Sequence, residues 1–367
     1  MDRLNQLSSL FSSSSSNLHE YKIQISTFLI GILFAYIFLH RWNQRNIKGP
    51  KSWPIIGAII ELQMNLHRMH DWLTDYFVES KTFRVQLPNI TITFISEPAN
   101  VEHVLKTNFN NYPKGEAFHE LMEGFLGDGI FNSDGEMWRR QRKIASLEFA
   151  SRNLRNFSTT VFRDYALILS GILHQASICG KEIDMQAKEM IGYKPEDLES
   201  FTAKVTQFAS LLNYDSLAKL SYLHATITET LRLFSAVPQD PKGVLEDDVL
   251  PDGTKVRAGG VVAYVPYAMG RMVYNWGPDA TSFNPDRWFN KDGLFQSESP
   301  FKFTAFQAGP RTCLGKDSAY LQMKMTLAIL CRFFNFHLIP NHPVNYKMMT
   351  TLTMEHGLKL TMTTRQS

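Results

Sequence analysis

The segment Phe306-Gln-Ala-Gly309-Pro-Arg311-Thr-Cys313-Leu-Gly315, which runs directly into the helical pattern KDSAYLQMKMTLAILCRFF, constrains this chain more than any other. A cysteine at a helix amino terminus lies among N–H groups that have no intrahelical partner, at the positive end of the helix dipole. Both favour thiolate over thiol. A thiolate is a strong ligand for iron. Gly309 and Gly315 would let backbone approach a flat macrocycle, Phe306 is spaced to shield the sulfur, and Arg311 can pair with a carboxylate on such a group. The plainer reading of one cysteine near a helix start is a small buried hydrophobe. Five residues at this spacing argue against it.

The rest of the composition fits a large globular protein. The chain has 367 residues, 44% hydrophobic and 20% charged, which excludes a disordered tail or a fibrous repeat. A net charge of +3 is too even for a chain whose main task is neutralising phosphates, so no nucleic-acid partner is expected. Three cysteines cannot form a disulfide framework, and the odd number leaves a thiol free, which points to a reducing compartment.

Residues 23 to 39, IQISTFLIGILFAYIFL, are the longest apolar run, with Tyr21 and Trp42 as flanks. With those flanks the run is just long enough for a hydrocarbon core of about 30 Å, which takes about 20 helical residues. A cleaved leader should end in small residues, whereas this run meets Leu39-His40-Arg41-Trp42, so an uncleaved anchor is expected. Arg41, Arg45, Lys48 and Lys51 follow it, while Asp2, Arg3, Glu20 and Lys22 before it cancel, which leaves the large carboxyl-terminal part on the cytosolic side. The reading divides the chain into a tail at 1–22 whose serines 12–16 are mobile, a transmembrane anchor at 23–42, a Pro-rich hinge at 43–56 and a catalytic domain at 57–367.

Within that domain, 82–96 alternate around Pro88-Asn89 and predict a β-hairpin. A second is predicted at 249–265 around Pro251-Asp252-Gly253, and a third in TTLTMEHGLKLTMTT at the carboxyl end. Helical patterns cover 99–108, 136–150, 160–176, 196–234 with breaks, and 315–335. The expected class is mainly α with small β-sheets. Cys331 stands eighteen residues after Cys313, about 27 Å along a continuous helix, too far to bridge. Cys179 has no partner at ligand spacing. His67 and His70 could share a metal, but an amphipathic surface helix explains them better.

The spacing F-x-x-G-x-R-x-C-x-G resembles the haem-ligand loop of the cytochrome P-450 superfamily, the haem-thiolate monooxygenases. Two further segments are similar to landmarks of that family. Glu229-Thr-Leu-Arg232 resembles its E-x-x-R helix, and Phe283-Asn-Pro-Asp-Arg287-Trp288 resembles the segment whose arginine completes a Glu-Arg-Arg network. Glu and Arg at i and i+3 share a helix face, and a second guanidinium would satisfy the remaining carboxylate oxygens. Trp138 and Arg142 fit the family's W-x-x-x-R pattern, and the resemblance implies that both reach a haem propionate. It further implies that Cys313 is the axial metal ligand, and that haem is held by Trp138, Arg142, Phe306, Gly309, Arg311, Cys313 and Gly315. The basic residues of Arg139-Arg140-Gln141-Arg142-Lys143 would form a docking face for NADPH-cytochrome reductase.

The resemblance covers everything after the hinge except one gap. The family carries an A/G-G-x-D/E-T stretch on a distal helix between W-x-x-x-R and E-x-x-R, and no threonine between Arg142 and Glu229 follows an acidic residue. The expected fold is therefore that of the cytochrome P-450 family, internally truncated with a join near 186–187, behind an N-terminal transmembrane anchor. The carboxyl-terminal half is similar to plant members near the fatty-acid ω-hydroxylases, which implies hydroxylation of a long-chain fatty acid or related lipophilic substrate at the endoplasmic reticulum membrane. Two other readings stay open: a truncated, inactive haem-binding pseudoenzyme, and a haem-thiolate hydroperoxide isomerase, which needs no oxygen activation.

Overall fold

The computed structural model describes residues 2–45, 47–186 and 199–365. It begins with one long helix, α1 (Asp2–Gln44). Its stretch Gln24–Trp42 is long and apolar enough to cross a membrane, and none of it is buried against the rest of the chain. The serines 12–16, expected as a mobile tail, instead lie within α1. Serine is only a moderately poor helix former, and a helix already nucleated by its apolar part propagates through such residues at small cost.

After α1 the chain turns back onto a sheet. Helices α2 (Ile59–Met64) and α3 (Met69–Glu79) lead into β1 (Thr82–Gln86) and β2 (Thr91–Ile95), the predicted first hairpin, in register from Thr82 opposite Ile95 to Gln86 opposite Thr91. β1 is an edge strand, and the hinge covers it. The Arg84 N–H donates to the Lys48 carbonyl at 2.9 Å and the Ala58 N–H to the Gln86 carbonyl at 2.8 Å. Gly49 permits this docking, because its φ is +132° and a Cβ there would stand 2.2 Å from the Arg84 carbonyl oxygen.

α4 (Pro98–Glu102) continues into a π turn at His103–Thr107, followed by α5 (Glu116–Leu126), α6 (Gly135–Ala150), α7 (Arg152–Ile178) and β3 (Ile183–Asp184). The expected join at 186–187 falls at the border of residues 187–198, which lie outside the described residues. The chain resumes with α8 (Glu199–Ser210), α9 (Tyr214–Ala218) and α10 (Ser221–Leu233). Strands β4 (Asp240–Gly243), β5 (Asp248–Val249), β6 (Lys255–Val256) and β7 (Val261–Tyr264) precede short helices α11 (Pro266–Met269) and α12 (Val273–Trp276). The second hairpin forms only at its tip, as β5 against β6. β7 leaves it to run parallel to β2 and antiparallel to β4, which gives a four-stranded sheet of order β1-β2-β7-β4.

α13 (Lys316–Phe333) passes straight into β8 (Phe334–Leu338), and β9 (Tyr346–Lys347), β10 (Thr353–Met354) and β11 (Lys359–Thr364) close the chain. The third predicted hairpin does not form. β10 pairs with β9, while β11 pairs with β8 and β3. The alternation that marked both strands was real, but their partners lie elsewhere in sequence, because β-pairing follows the packing of the buried face.

Two packed regions hold the site between them. α13 buries Leu321, Met325, Ile329, Leu330 and Phe333 along one stripe against α7 and α8, a helical spacing, and Tyr320 against α10. α3 buries Leu73 and Phe77 on the sheet against Phe83, Val85 and Ala263, each such side chain contributing about 1.5–3 kcal/mol. His70 belongs to this second core and is not on a surface helix as expected. It is 1% exposed, with its ring 5.5 Å from Tyr267 and 5.1 Å from Tyr346, and burial pushes its pKa down to about 4. Among the described residues no cluster of three metal-ligating side chains exists, and all three cysteines are free.

Candidate functional site: an exposed sulfur beside buried guanidiniums

The cysteine loop is fixed at its centre by a close approach of backbone. Gly309 opens a single 3₁₀ turn, Gly309–Arg311, with φ +65°, and a Cβ on it would sit 2.0 Å from the Leu105 carbonyl oxygen. Thr312 closes the turn, its N–H and hydroxyl both donating to the Gly309 carbonyl at 3.1 and 2.8 Å. The Cys313 N–H then donates to the Phe306 carbonyl at 2.8 Å, so the loop returns on itself and leaves the Cys313 side chain exposed. The cysteine stands two residues ahead of Gly315, which caps α13. Gly309→Ala is expected to displace this loop. The positive φ and the clash together exceed the 1–3 kcal/mol of an isolated strained residue, and a fall of several degrees in melting temperature with loss of haem uptake would register it.

Gly315 differs. Its φ is −82°, and an added methyl would make ordinary contacts at 3.5 Å with the Phe149 ring and 3.9 Å with Cys313 Sγ. Packing within the protein therefore does not require glycine there.

α6 supplies the second wall. Its N-cap Asp134 does not cap the helix through its side chain. The carboxylate is spent on other donors: the N–H groups of Lys114 and Gly115, each at 3.0 Å, and Arg311 Nη2 at 2.5 Å. Arg311 Nη2 also donates to the Ser133 carbonyl at 3.0 Å, while its buried Nε has no partner. Protein thus holds Nη2 of the guanidinium, while Nε is enclosed without an acceptor. The flat of the same group lies 4.3 Å from the centre of the Trp138 ring, a cation–π contact. Trp138 is buried against Phe109, and its indole N–H has no hydrogen-bond partner among the described residues. Arg142, one helical turn on, donates to the Thr312 carbonyl.

Electrostatically the site is short of negative charge. Burial lowers the pKa of Arg311, an effect that Asp134 and Asp240 oppose and the charge of Arg142 reinforces. Arg142 is likewise lowered by burial, with Cys313 acting the other way. Lys114 connects this cluster to the sheet, its Nζ 2.9 Å from Asp240, which also accepts from buried Lys242 at 2.8 Å and from the Tyr264 hydroxyl at 2.8 Å. Phe306 sits beside α13 with its ring 5.3 Å from Tyr320. The structure therefore brings Arg311, Trp138 and Arg142 around the cysteine loop. Sequence reading missed Asp134, Lys114 and Asp240, and only the D-G pair before α6 hinted at the first.

Glu229 and Arg232 form the expected pair one layer below. Glu229 is fully buried and accepts five hydrogen bonds: from Arg232 Nη2 at 2.7 Å and Nε at 2.8 Å, Arg287 Nε at 2.9 Å, the Asn284 N–H at 2.8 Å and the Trp288 indole at 3.0 Å. The second arginine, Arg287, does reach Glu229, but through one nitrogen only. It gives Glu229 only Nε and turns its outer nitrogens to Asp279. The indole and the Asn284 amide complete the set.

Comparison with known proteins agrees with this geometry. The chain is 43% identical to cytochrome P450 704B1 of Arabidopsis thaliana, an alignment spanning 90% of this chain and 98% of that protein. It is 32% identical to cytochrome P450 704C1 of Pinus taeda over 91% and 95% of the two chains, and 28% identical to cytochrome P450 86B1 of Arabidopsis thaliana over 94% and 90%. The first alignment runs over 512 positions, more than the 367 residues here, so that relative carries an internal stretch without a counterpart in this chain. The sequence profile of the family cytochrome P450 matches residues 47–187 and 202–362, nearly the whole chain beyond α1, and the protein belongs to that family of haem-dependent monooxygenases.

Proposed function

We propose that the chain binds haem through Cys313 and hydroxylates a long-chain fatty acid or related lipid at the cytosolic face of the endoplasmic reticulum, anchored there by α1. The observation that carries the haem assignment is the half-satisfied guanidinium of Arg311. Its buried Nε is a donor without an acceptor, and the neighbouring charge of Arg142 adds to the cost of burying the guanidinium. A flat group with carboxylates at its edge and an atom that takes a thiolate would satisfy Arg311, Arg142 and Cys313 together. When bound, haem supplies an iron that activates dioxygen, and thiolate ligation favours O–O cleavage. The chain's own part is to hold Cys313 clear of the loop, to fix the propionate edge through Arg311, and to present Arg139, Arg140 and Lys143 on exposed turns of α6 to an acidic reductase. The acyl substrate rests on similarity to plant fatty-acid hydroxylases, and α1 supports a membrane site for it.

A specific observation also favours the second reading, a haem protein impaired in oxygen activation. Proton delivery to bound oxygen needs a free hydroxyl or acid in a dry pocket. Thr159, Thr160, Thr226, Thr228 and Thr230 each donate to the carbonyl four residues earlier, so their hydroxyl protons are spent within their own helices. α5 buries none of its residues, and Leu121 and Phe125 are 78% and 85% exposed, an apolar face of the sort that packs against further structure.

One experiment separates the two. The purified chain is reduced under carbon monoxide, then supplied with NADPH, reductase and a long-chain fatty acid. A thiolate-type Soret band with hydroxylated product supports the monooxygenase. The same band with NADPH consumed and only peroxide released supports the impaired form. No band at all removes the haem assignment.

A further inference from the structure

Where α1 ends, a groove of about 1050 Å³ opens along the covered edge of the sheet, between the hinge, β1 and the β5–β6 tip. Gln44 and Ile47, at the end of the long helix, line one end of it, and the Gln44 amide donates to the Gln86 side chain at 2.5 Å. Its charges are unequal. Of the acidic groups, Glu97 is paired with Lys81 at 2.6 Å, and Asp252 accepts from the Thr82 hydroxyl at 2.6 Å and the Thr254 N–H at 2.9 Å. Those donors are neutral, so Asp252 keeps its negative charge, and Glu79 has no partner among the described residues. Against these two acids stand three cations: Lys48 and Lys255, which have no acidic partner among the described residues, and Arg84, whose side chain donates to the Lys255 carbonyl. Phe83, Val244 and Val256 give the groove an apolar floor, over which lysine stems can lie with their ammonium groups outward.

We propose that this groove holds the anionic headgroup of a membrane phospholipid, met by Lys48, Lys255 and Arg84. The assignment of a lipid over a free anion rests on the reading of α1 as a membrane anchor. A groove that starts at the end of a spanning helix lies at the headgroup level, where anionic lipids concentrate and each neighbouring basic residue adds about fivefold to binding. Arg41, Arg45 and Lys51 extend the same positive collar around the end of the helix. The apolar floor accepts the glycerol end of the lipid, which inorganic phosphate lacks.

The test titrates the full chain with monomeric short-chain phosphatidylserine, short-chain phosphatidylcholine and inorganic phosphate, and separately floats it on neutral phosphatidylcholine vesicles. Saturable phosphatidylserine binding is expected, at least tenfold tighter than either phosphatidylcholine or phosphate. It should weaken about tenfold or more in Lys48→Glu/Lys255→Glu, on the scale of two basic contacts. Lys291→Glu/Lys347→Glu, which makes the same charge change at exposed sites outside the groove, should keep it. Equal binding of the two lipids, equal binding of phosphate, or equal loss in both double variants overturns the proposal. Failure to float on neutral vesicles counts against the anchor alone, since the short-chain titration reads the groove without a bilayer.

Discussion

Cys313→Ser leaves the fold standing and removes the thiolate-type carbon monoxide band completely. The two halves of that expectation come from one observation. The Cys313 side chain is exposed and makes no hydrogen bond through sulfur, and its backbone N–H, which does, is unchanged by the substitution. An exposed, near-isosteric exchange of this kind moves stability by about 0.5 kcal/mol or less. The metal bond, by contrast, has no substitute, because the thiolate-type band requires sulfur as the ligand and a serine hydroxyl supplies none. Circular dichroism melts of the two haem-free proteins within a degree or two of each other, together with loss of the band, would confirm the role. A variant that retains the wild-type spectrum would refute it, and with it the proposed chemistry.

The second large effect is on stability. Glu229→Ala leaves two guanidiniums, Arg232 and Arg287, facing a void with their donors unpaired, in a layer where Arg232 is 1% exposed. Breaking a buried charge pair from one side costs about 3–5 kcal/mol, a large share of the roughly 5–15 kcal/mol that holds a folded domain together. Urea unfolding of the full chain should show the loss, and an unchanged midpoint would contradict it. The pH dependence has a definite sign. Burial pushes the Glu229 carboxyl upward, but the bonds from Arg232, the Asn284 N–H and Arg287 outweigh it and leave the pKa below the ordinary carboxylate value. A depressed carboxylate contributes fully above its unfolded pKa of about 4.3 and loses its contribution as pH falls toward the lower folded value. Glu229→Gln should therefore narrow its deficit against wild type as the solution is acidified through that window.

How much of this was legible beforehand differs by element. The loop around Cys313 and the pair Glu229–Arg232 were readable because their chemistry is local: spacing along one turn or one helix face fixes which groups meet. The hairpin at 82–96 was readable for the same reason, with its turn residues between its own two strands. β11 was not, since its partners β3 and β8 lie far off in sequence and only the packed core chooses them. His70 looked like a surface residue because nothing in Leu-His-Arg-Met-His reveals that Tyr267 and Tyr346 close over it. Asp134 was hidden for another reason. An aspartate before a helix reads as a cap, and here the helix start goes without that bond so that one carboxylate can tie together a loop, a strand approach and an arginine.

The covering of β1 by the residues after α1 reaches beyond the site. An uncovered edge strand invites another chain to add itself to the sheet. Here the shield is the very tether that leads to the long apolar helix, so shortening the protein from its front end toward solubility has a limit beyond which it also strips the sheet of its guard. Trimming that stops short of Lys48 keeps Lys48 O over Arg84 and the sheet closed; trimming that goes past it exchanges one sticky surface for another.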